Sequence, residues 1–537
     1  MKTLGWLLAC LALIQIAACS GNSPEAGPPV PAGIRQILDK PLYRNAVWGM
    51  KVIDLATGQV LYDVNPDRPF LIGSVRKLFS VGVLLDTLGP DFTFRTPVHR
   101  RGTVDAGGEL NGDLILVASG DMAMGGRTNP DGSFALTDLD HSESNALGGT
   151  PLTATDPLAG YDALARQVAA AGIRRVSGEV IIDDRLFTPF NFRGEFDVRP
   201  IFVNDDVVDV SMRPTRAGER AEVDWRPKSA AFTVRSQLLT AAAGTGATAE
   251  LVPELPACIG LVGCGGDVGG KLAADFVPAL TGQLPFVQTF RIVQPSNYAR
   301  TVFIEALTRA GVAVAAPAVA PNPVALLPAR NAYAIDTRVA GLVSHPYRDF
   351  ARLILKVSYN IGADLSTMLY GVSKGVATFP AALAAELEQI ATAFQVKPEE
   401  LHFVDGSGGG DTQATNGAVI GLLYAMSRRP AFADFYNALP SLAVDGSLAS
   451  VTRFTADPAL AGARNNVRAK TGTFVTGTPT GMALNAQALA GYIDTKSGRR
   501  LAFTLAVNNV GAIADISDVI EVFEDQGAIA AYLWQLH

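Results

Sequence analysis

The chain has 537 residues, 48% of them hydrophobic and 18% charged, with 53 glycines and 32 prolines, a globular and turn-rich composition long enough for several domains. Its net charge of -7 comes without a basic block, so nothing favours nucleic acid as a partner. The 5 histidines are scattered, none in an H-x-x-x-H pair, and no loop has calcium-site spacing, so no metal and no other cofactor is expected.

In chain order, 1–18 reads as a targeting segment. Lys2 supplies the positive start, and Trp6 to Ile16 is apolar but short for a membrane span. It ends Ile16-Ala17-Ala18-Cys19-Ser20, which resembles a bacterial lipobox whose cysteine is lipidated and becomes the mature N-terminus. A plain small-residue cleavage site after Ala18 is the competing reading. Ser20, rather than Asp, after the cysteine resembles the sorting of lipoproteins to the outer of two membranes. Residues 19–33, rich in Pro and Gly, read as a flexible tether.

Two strand-like runs follow, Val47 to Leu55 and Gln59 to Val64, around a Thr57-Gly58 turn. Then comes Gly73-Ser74-Val75-Arg76-Lys77-Leu78-Phe79. Serine is a poor nucleophile at neutral pH and needs a base within hydrogen-bond reach. A helix starting near Ser74 and running to about Leu88 places Lys77, at i+3, on the same face. Taken alone, such a pair also fits a helix start with a solvated lysine. From Val98 the texture changes to strands and turns. A Gly/Asn/Asp-rich loop spans Met122 to Thr150, and a helix from Tyr161 to Ala171 leads into the strand-like run Val180-Ile181-Ile182-Asp183-Asp184. Asn297 to Val314 echoes that helix and strand. Residues 98–329 therefore read as a β-rich insert of two nested domains, leaving by a Pro/Ala-rich linker from Ala315 to Ala329. Cys258 and Cys264 lie inside it; in an exported chain they read as a local disulfide, otherwise as two free thiols.

Helical patterns resume at Tyr347, with Ser358-Tyr359-Asn360 between two of them. Asp405-Gly406-Ser407-Gly408 is a tight turn before a helix from Ala418 to Ser427. Strands are expected at Val467 to Thr473, Leu489 to Ile493 and Leu501 to Asn508, with a closing helix from Val519 to Leu536. Lys470-Thr471-Gly472-Thr473 offers a cation and a hydroxyl for a substrate carboxylate. Gly472 leaves room for an extended peptide at the strand edge, and the backbone N–H groups of Ser74 and Thr473 suit an oxyanion hole. Ser358 can relay a proton to a leaving amine, and Asn360 can hold a substrate amide and position Lys77. Lys470 is the cation expected to lower the pKa of Lys77.

In the order S-x-x-K, S-x-N, K-T-G these tripeptides form the signature of penicillin-binding proteins and serine β-lactamases. The chain resembles the D-alanyl-D-alanine carboxypeptidase/endopeptidase family, the class C low-molecular-mass penicillin-binding proteins of DacB type. The resemblance rests on these three motifs together with Gly112-Asp113-Leu114, Gly120-Asp121, Gly178-Glu179-Val180-Ile181-Ile182-Asp183 and Asn204-Asp205-Asp206-Val207. It continues in Asp405-Gly406-Ser407-Gly408, Asp445-Gly446-Ser447-Leu448 and Ala490-Gly491-Tyr492. The large insert between the first two motifs is the family's mark. The resemblance implies an α+β fold: a transpeptidase/β-lactamase-like domain of 34–97 and 330–537, an antiparallel sheet flanked by helices, interrupted by the insert.

It also implies a serine-type D-Ala-D-Ala carboxypeptidase, with endopeptidase cleavage as a further activity the family allows, acting on peptidoglycan peptides and inhibited by β-lactams. Ser74 would be acylated, with Lys77 as base; Ser358 and Asn360 would complete proton transfer and positioning; Lys470, Thr471, Gly472 and Thr473 would bind substrate. Asp183 matches a family position facing the active site, or is a strand-end aspartate. The place of action would be the periplasm, with a lipid on Cys19 anchoring the chain to the outer membrane. Two features depart from the pattern. Tyr359 stands where the family usually has Asp, and the connection from Thr473 to Ala490 exceeds the about two to five residues of an ordinary hairpin. The alternatives are a β-lactamase or esterase on the same serine, or a catalytically weak wall-binding lipoprotein. The sequence leaves the oligomeric state open.

Overall fold

The computed structural model describes residues 29–330, 332–479, 481–513 and 516–537. The targeting segment, Cys19 and most of the tether lie outside the described residues.

Both ends of the chain build one antiparallel sheet. Its strands are β1 (Val47–Asp54), β2 (Val60–Val64), β3 (Val467–Thr478), β4 (Gly481–Asp494) and β5 (Arg500–Ile513), in the order β2-β1-β5-β4-β3. Side chains alternate between faces along a strand, and the sequence uses this fully. On one face Leu489 and Ile493 of β4 and Leu501, Phe503 and Leu505 of β5 pack with Trp48 and Met50 against the C-terminal helix through Ile529 and Leu533. On the other face β4 and β5 present the small Ala488, Ala490, Ala502 and Ala506. That shallow face lets helices approach closely. Helices α1 (Lys77–Leu88) and α2 (Asn360–Ser373) lie in the core on this side, and the C-terminal helix α3 (Ile516–Leu536) covers the other. Residues 77 to 85 of α1 are all buried, as a central helix requires.

The three late strands are much longer than the sequence suggests. Past Thr473, β3 stays paired with β4 out to Thr478 opposite Gly481, and β4 stays paired with β5 out to Met482 opposite Ile513. The long connection is therefore a three-stranded extension rather than a loop. Its Gly, Thr and Pro residues resemble turn chemistry, but cross-strand pairing overrides that preference.

The insert is organised around a second sheet containing strands Thr93–Val104, Glu109–Val117 and Val180–Asp183. The strand Thr93–Val104 runs through residue 97, and Arg338–Pro346 pairs with it antiparallel. The two echoing units each end in a short strand, Arg175–Val176 and Ala313–Val314, and these pair in parallel. Cys258 and Cys264 are joined in a disulfide.

A buried ionic cluster holds the insert's middle together. Asn204, Asp205 and Asp206 all have φ between 53° and 58°, the left-handed region that L-residues occupy at a cost of roughly 1–2 kcal/mol each. The turn is retained because its polar groups are used. Asn204 Nδ2 donates to Asp209 (3.0 Å), and His141 sits between Asp209 (2.7 Å) and Asp205 (2.7 Å), with Arg127 also on Asp205. Burial alone would lower the His141 pKa, but the two carboxylates outweigh it and raise it to about 9.

A raised histidine pKa means the folded state keeps a proton that the unfolded chain releases above about pH 6.5. The His141 contribution to stability is complete below that pH and disappears as pH rises to about 9. Buried lysines elsewhere, whose pKa values are lowered, act in the opposite sense. The check is therefore a difference: thermal midpoints of wild type and His141→Gln from pH 6 to 10, with the wild-type advantage shrinking across this window.

Candidate active site

Ser74 lies in a single turn, Gly73–Arg76, that leads into α1. Two glycines let this turn press against β3. A Cβ on Gly472 would stand 2.1 Å from Ile72 O and 3.1 Å from Ser74 N; one on Gly73 would meet Thr473 N at 2.8 Å, and Gly73 also has φ of 48°. The room left at Gly472, expected for substrate, is thus filled by the chain itself. Its effect is to bring the backbones of Ser74 and Thr473 into contact.

Arg76, between the serine and the lysine, anchors the turn from behind. Its guanidinium is fully buried against Glu386 (2.5 and 3.2 Å), which is also fully buried, and its Nε donates to Asp405 O (2.9 Å). The Asp405 carboxylate accepts from the N–H groups of Ser407 (3.0 Å), Gly408 (2.6 Å) and Gly409 (2.9 Å). This tight turn aims the Ser407 carbonyl at Lys77.

The Lys77 amine is completely buried, with three partners: Ser74 Oγ at 2.6 Å, Asn360 Oδ1 at 2.7 Å and Ser407 O at 2.8 Å. Its pKa is lowered to about 7, first by burial and then by the charge of Arg193. Lys470 was the expected cation; Arg193 takes that part. Lys470 is itself fully buried, donating to Ser358 Oγ (3.0 Å) and Thr471 O (2.7 Å). Burial, followed by Lys77, pushes its pKa well below the usual lysine range. Thr471 Oγ1 shares a hydrogen bond with Ser447 Oγ (2.8 Å). Ser358, at φ 65°, and Asn360, the first residue of α2, bring the second motif against the other two.

Ser74 opens into a cavity of about 670 Å³ that Asn360, Arg193, Phe190, Thr473 and Phe474 help to line. Asp183 is not among its lining residues. It faces a separate cavity of about 260 Å³ beside Arg330. There its carboxylate accepts from Arg185 Nε and Nη2 (both 2.8 Å) and from Tyr333 OH (2.6 Å). Burial would raise its pKa, but these donors prevail and lower it. Two residues of the insert that sequence reasoning passed over do reach the site. Arg193, on the hairpin Phe190–Val198, donates to Ser407 Oγ (3.2 Å), and Glu143 accepts from Asn360 Nδ2 (2.8 Å). Glu143 lies in the Met122 to Thr150 stretch read as a loop, and neither residue belongs to a short motif, so no local signal marks them.

A family model described as the D-Ala-D-Ala carboxypeptidase 3 (S13) family matches residues 30–526. The D-alanyl-D-alanine carboxypeptidase of Actinomadura sp. (strain R39) is 28% identical over 506 residues, spanning 89% of this chain and 80% of that protein. In fold, the chain is similar to penicillin binding protein 4 (dacB) from Haemophilus influenzae, with a TM-score of 0.66 and 17% identity over 94% of this chain and 99% of that one. A complex of that protein with a β-lactam gives a TM-score of 0.64 at 18% identity, covering 94% and 98% of the two chains. Since the family model spans nearly all of the sequence, the chain belongs to the D-Ala-D-Ala carboxypeptidase 3 (S13) family and is a serine-type carboxypeptidase.

Proposed function

We propose that Ser74 and Lys77 are the nucleophile and base of an extracytoplasmic D-Ala-D-Ala carboxypeptidase that trims peptidoglycan stem peptides. The observation that carries this reading is the 2.6 Å contact between Lys77 Nζ and Ser74 Oγ, made by an amine that burial brings close to neutrality. Ser74 Oγ attacks the carbonyl of the penultimate D-Ala as its proton passes to Lys77. The N–H groups of Ser74 and Thr473 face the developing oxyanion. Ser358, bonded to Lys470, passes a proton to the departing amine of the terminal D-Ala and is restored by the proton that Lys77 took from Ser74, while Lys470 with Thr471 holds that residue's carboxylate. Water then releases the acyl group from Ser74. A bound carboxylate favours the charged form of Lys470, so such a ligand binds with proton uptake. Asp183, committed to Arg185 and Tyr333, is left out of this scheme.

A fluorescent penicillin is expected to label the wild type covalently and not Ser74→Ala, and purified muropeptides are expected to lose a terminal D-Ala by mass analysis. Absence of labelling at high probe concentration overturns the reading, and rapid turnover of the penicillin favours a β-lactamase. Cross-linked muropeptides in the same assay report on endopeptidase cleavage.

The base must be deprotonated to act. The acylation rate is expected to rise with pH through about 7, the value to which burial and Arg193 bring Lys77. Arg193→Ala removes a cation that disfavours charge on Lys77, so its pKa rises and the rate's acid limb moves to higher pH. Stopped-flow acylation from pH 5 to 9 measures both.

For location, we propose a lipid anchor on Cys19 and residence at the outer membrane, supported by the Ile16-Ala17-Ala18-Cys19-Ser20 sequence. Cys19→Ala is expected to move the protein from the membrane to the soluble fraction; a variant that still sediments with membranes rules the anchor out.

A further inference from the structure

We propose that Glu143 is a positioning residue: by accepting from the Asn360 amide it fixes that amide's orientation and so keeps the Lys77 lone pair free for Ser74. The inference rests on the roles of Ser74 and Lys77 given above, and the case for it is stoichiometric. A neutral lysine amine has two N–H groups and one lone pair. Ser407 O, at 2.8 Å, can only accept. If Asn360 also presents its oxygen, as it does at 2.7 Å, both N–H groups are used and the lone pair points to the Ser74 hydroxyl. If the amide is turned over, Nδ2 offers N–H groups to that lone pair and competes with Ser74 for the base. An asparagine side chain is nearly symmetrical in shape, and its surroundings choose between these orientations. A carboxylate accepts and does not donate, so the atom facing Glu143 Oε1 at 2.8 Å is Nδ2, which leaves Oδ1 for Lys77.

Glu143 is held firmly enough for this task, because every neighbour in its turn is tied to the insert. Asp140 accepts from Ser142 N (3.0 Å) and Ser142 Oγ (2.8 Å), and Arg291 Nη2 donates to Ser142 O (2.8 Å). His141 sits between Asp205 and Asp209. Beyond it, Ser144 Oγ donates to Val287 O (2.7 Å), and Asn145 exchanges two hydrogen bonds with Thr289 (2.8 and 2.9 Å). Within this run the Glu143 side chain is the one that leaves the insert, crossing to α2. The charged groups that bear on Lys77 are Arg193, Asp405, Asp364 and Glu143, with Lys470 on the strand side. Of the four that act on its protonation, Glu143, Asp405 and Asp364 favour the charged form and Arg193 opposes it.

The test measures second-order acylation by a fluorescent penicillin from pH 5 to 9 for wild type, Glu143→Gln, Glu143→Ala and Glu143→Asp, with thermal midpoints alongside. Gln and Ala are expected to slow acylation at the plateau by at least about tenfold, less than the roughly 10²–10⁴-fold contributed by a whole acid–base group, because Lys77 itself remains. Both are also expected to move the acid limb to lower pH, because a charge that favours protonated Lys77 is gone. Asp, still a pure acceptor, is expected to recover part of the rate. Glu143→Gln has nearly the same shape as the native residue and decides the matter should the Ala variant fail to fold. Acylation of Glu143→Gln within twofold of wild type, with the acid limb unmoved, overturns the role of Glu143 and leaves the Ser74 reading intact. So does a loss equal at every pH without recovery by Asp, since that is the behaviour of a structural contact. A wild type that is never labelled overturns the Ser74 reading and the Glu143 role with it.

Discussion

The structure is arranged around the burial of one amine. Lys77 has no exposure, and taking an ammonium out of water is costly unless it is paired and hydrogen-bonded. The chain meets this constraint in two ways. Burial and Arg193 weaken the charge, and three oxygens from three separate segments surround the nitrogen. Each oxygen is then fixed by something else: Ser74 by the glycine contacts with β3, Ser407 by the Asp405 turn, Asn360 by the start of α2 and by Glu143. The buried Arg76–Glu386 pair joins the first two, because Arg76 sits on the Ser74 turn and also binds the Asp405 carbonyl. Loss of either partner would strand a charge in the core, an effect of about 3–5 kcal/mol for a pair this buried.

The groups proposed to react were legible in the sequence because chemistry restricts residue type at those positions. Ser74 with Lys77, Ser358 with Asn360, and Lys470 with Thr471 each occupy a few adjacent positions, and the structure brings all six together. The stretches Leu489 to Ile493 of β4 and Leu501 to Asn508 of β5 were legible as strands from their adjacent residues alone. What escaped notice depends on contacts made across hundreds of residues. Glu143 meets Asn360 from 217 positions away, and Arg193 meets Ser407 from 214. The ends of β3, β4 and β5 were hidden differently: their composition favours turns, and only the neighbouring strand holds them extended. Asp183 ends a strand, one of the two readings open to it, and its partners come from Arg185 and the distant Tyr333.

Tyr359 shows how a departure from a family pattern can leave the neighbouring contacts in place. Its ring is fully buried, and its hydroxyl has no hydrogen-bond partner among the described residues. Burial raises its pKa well above the usual tyrosine value, and Asp205, Asp140 and Asp206 act in the same direction. An aspartate here would bring another carboxylate into a dry region that already holds three, two of them raised by burial, Asp140 to about 6. A neutral aromatic side chain fills the space without that repulsion. The neighbours Ser358 and Asn360 point the other way and keep their contacts with Lys470 and Lys77.

The insert might be regarded as a separate body attached to a complete enzyme, but its contacts argue otherwise. Three residues on two of its segments reach across: Asp138 accepts from Gly446 N (2.9 Å), Glu143 binds Asn360, and Arg193 binds Ser407. Two of these carry charge toward Lys77 with opposite signs. Withdrawing the insert would remove one charge that favours protonated Lys77 and one that opposes it; the two electrostatic changes offset only in part, because Arg193 weighs more than Glu143, and the Lys77 pKa would rise. The geometric changes would not offset, because Asn360 would lose the acceptor that sets its orientation and Ser407 would lose a donor. The insert therefore bears on where hydrogen bonds point as well as on the charge of Lys77, and that directional role requires a rigid mount such as the His141 cluster.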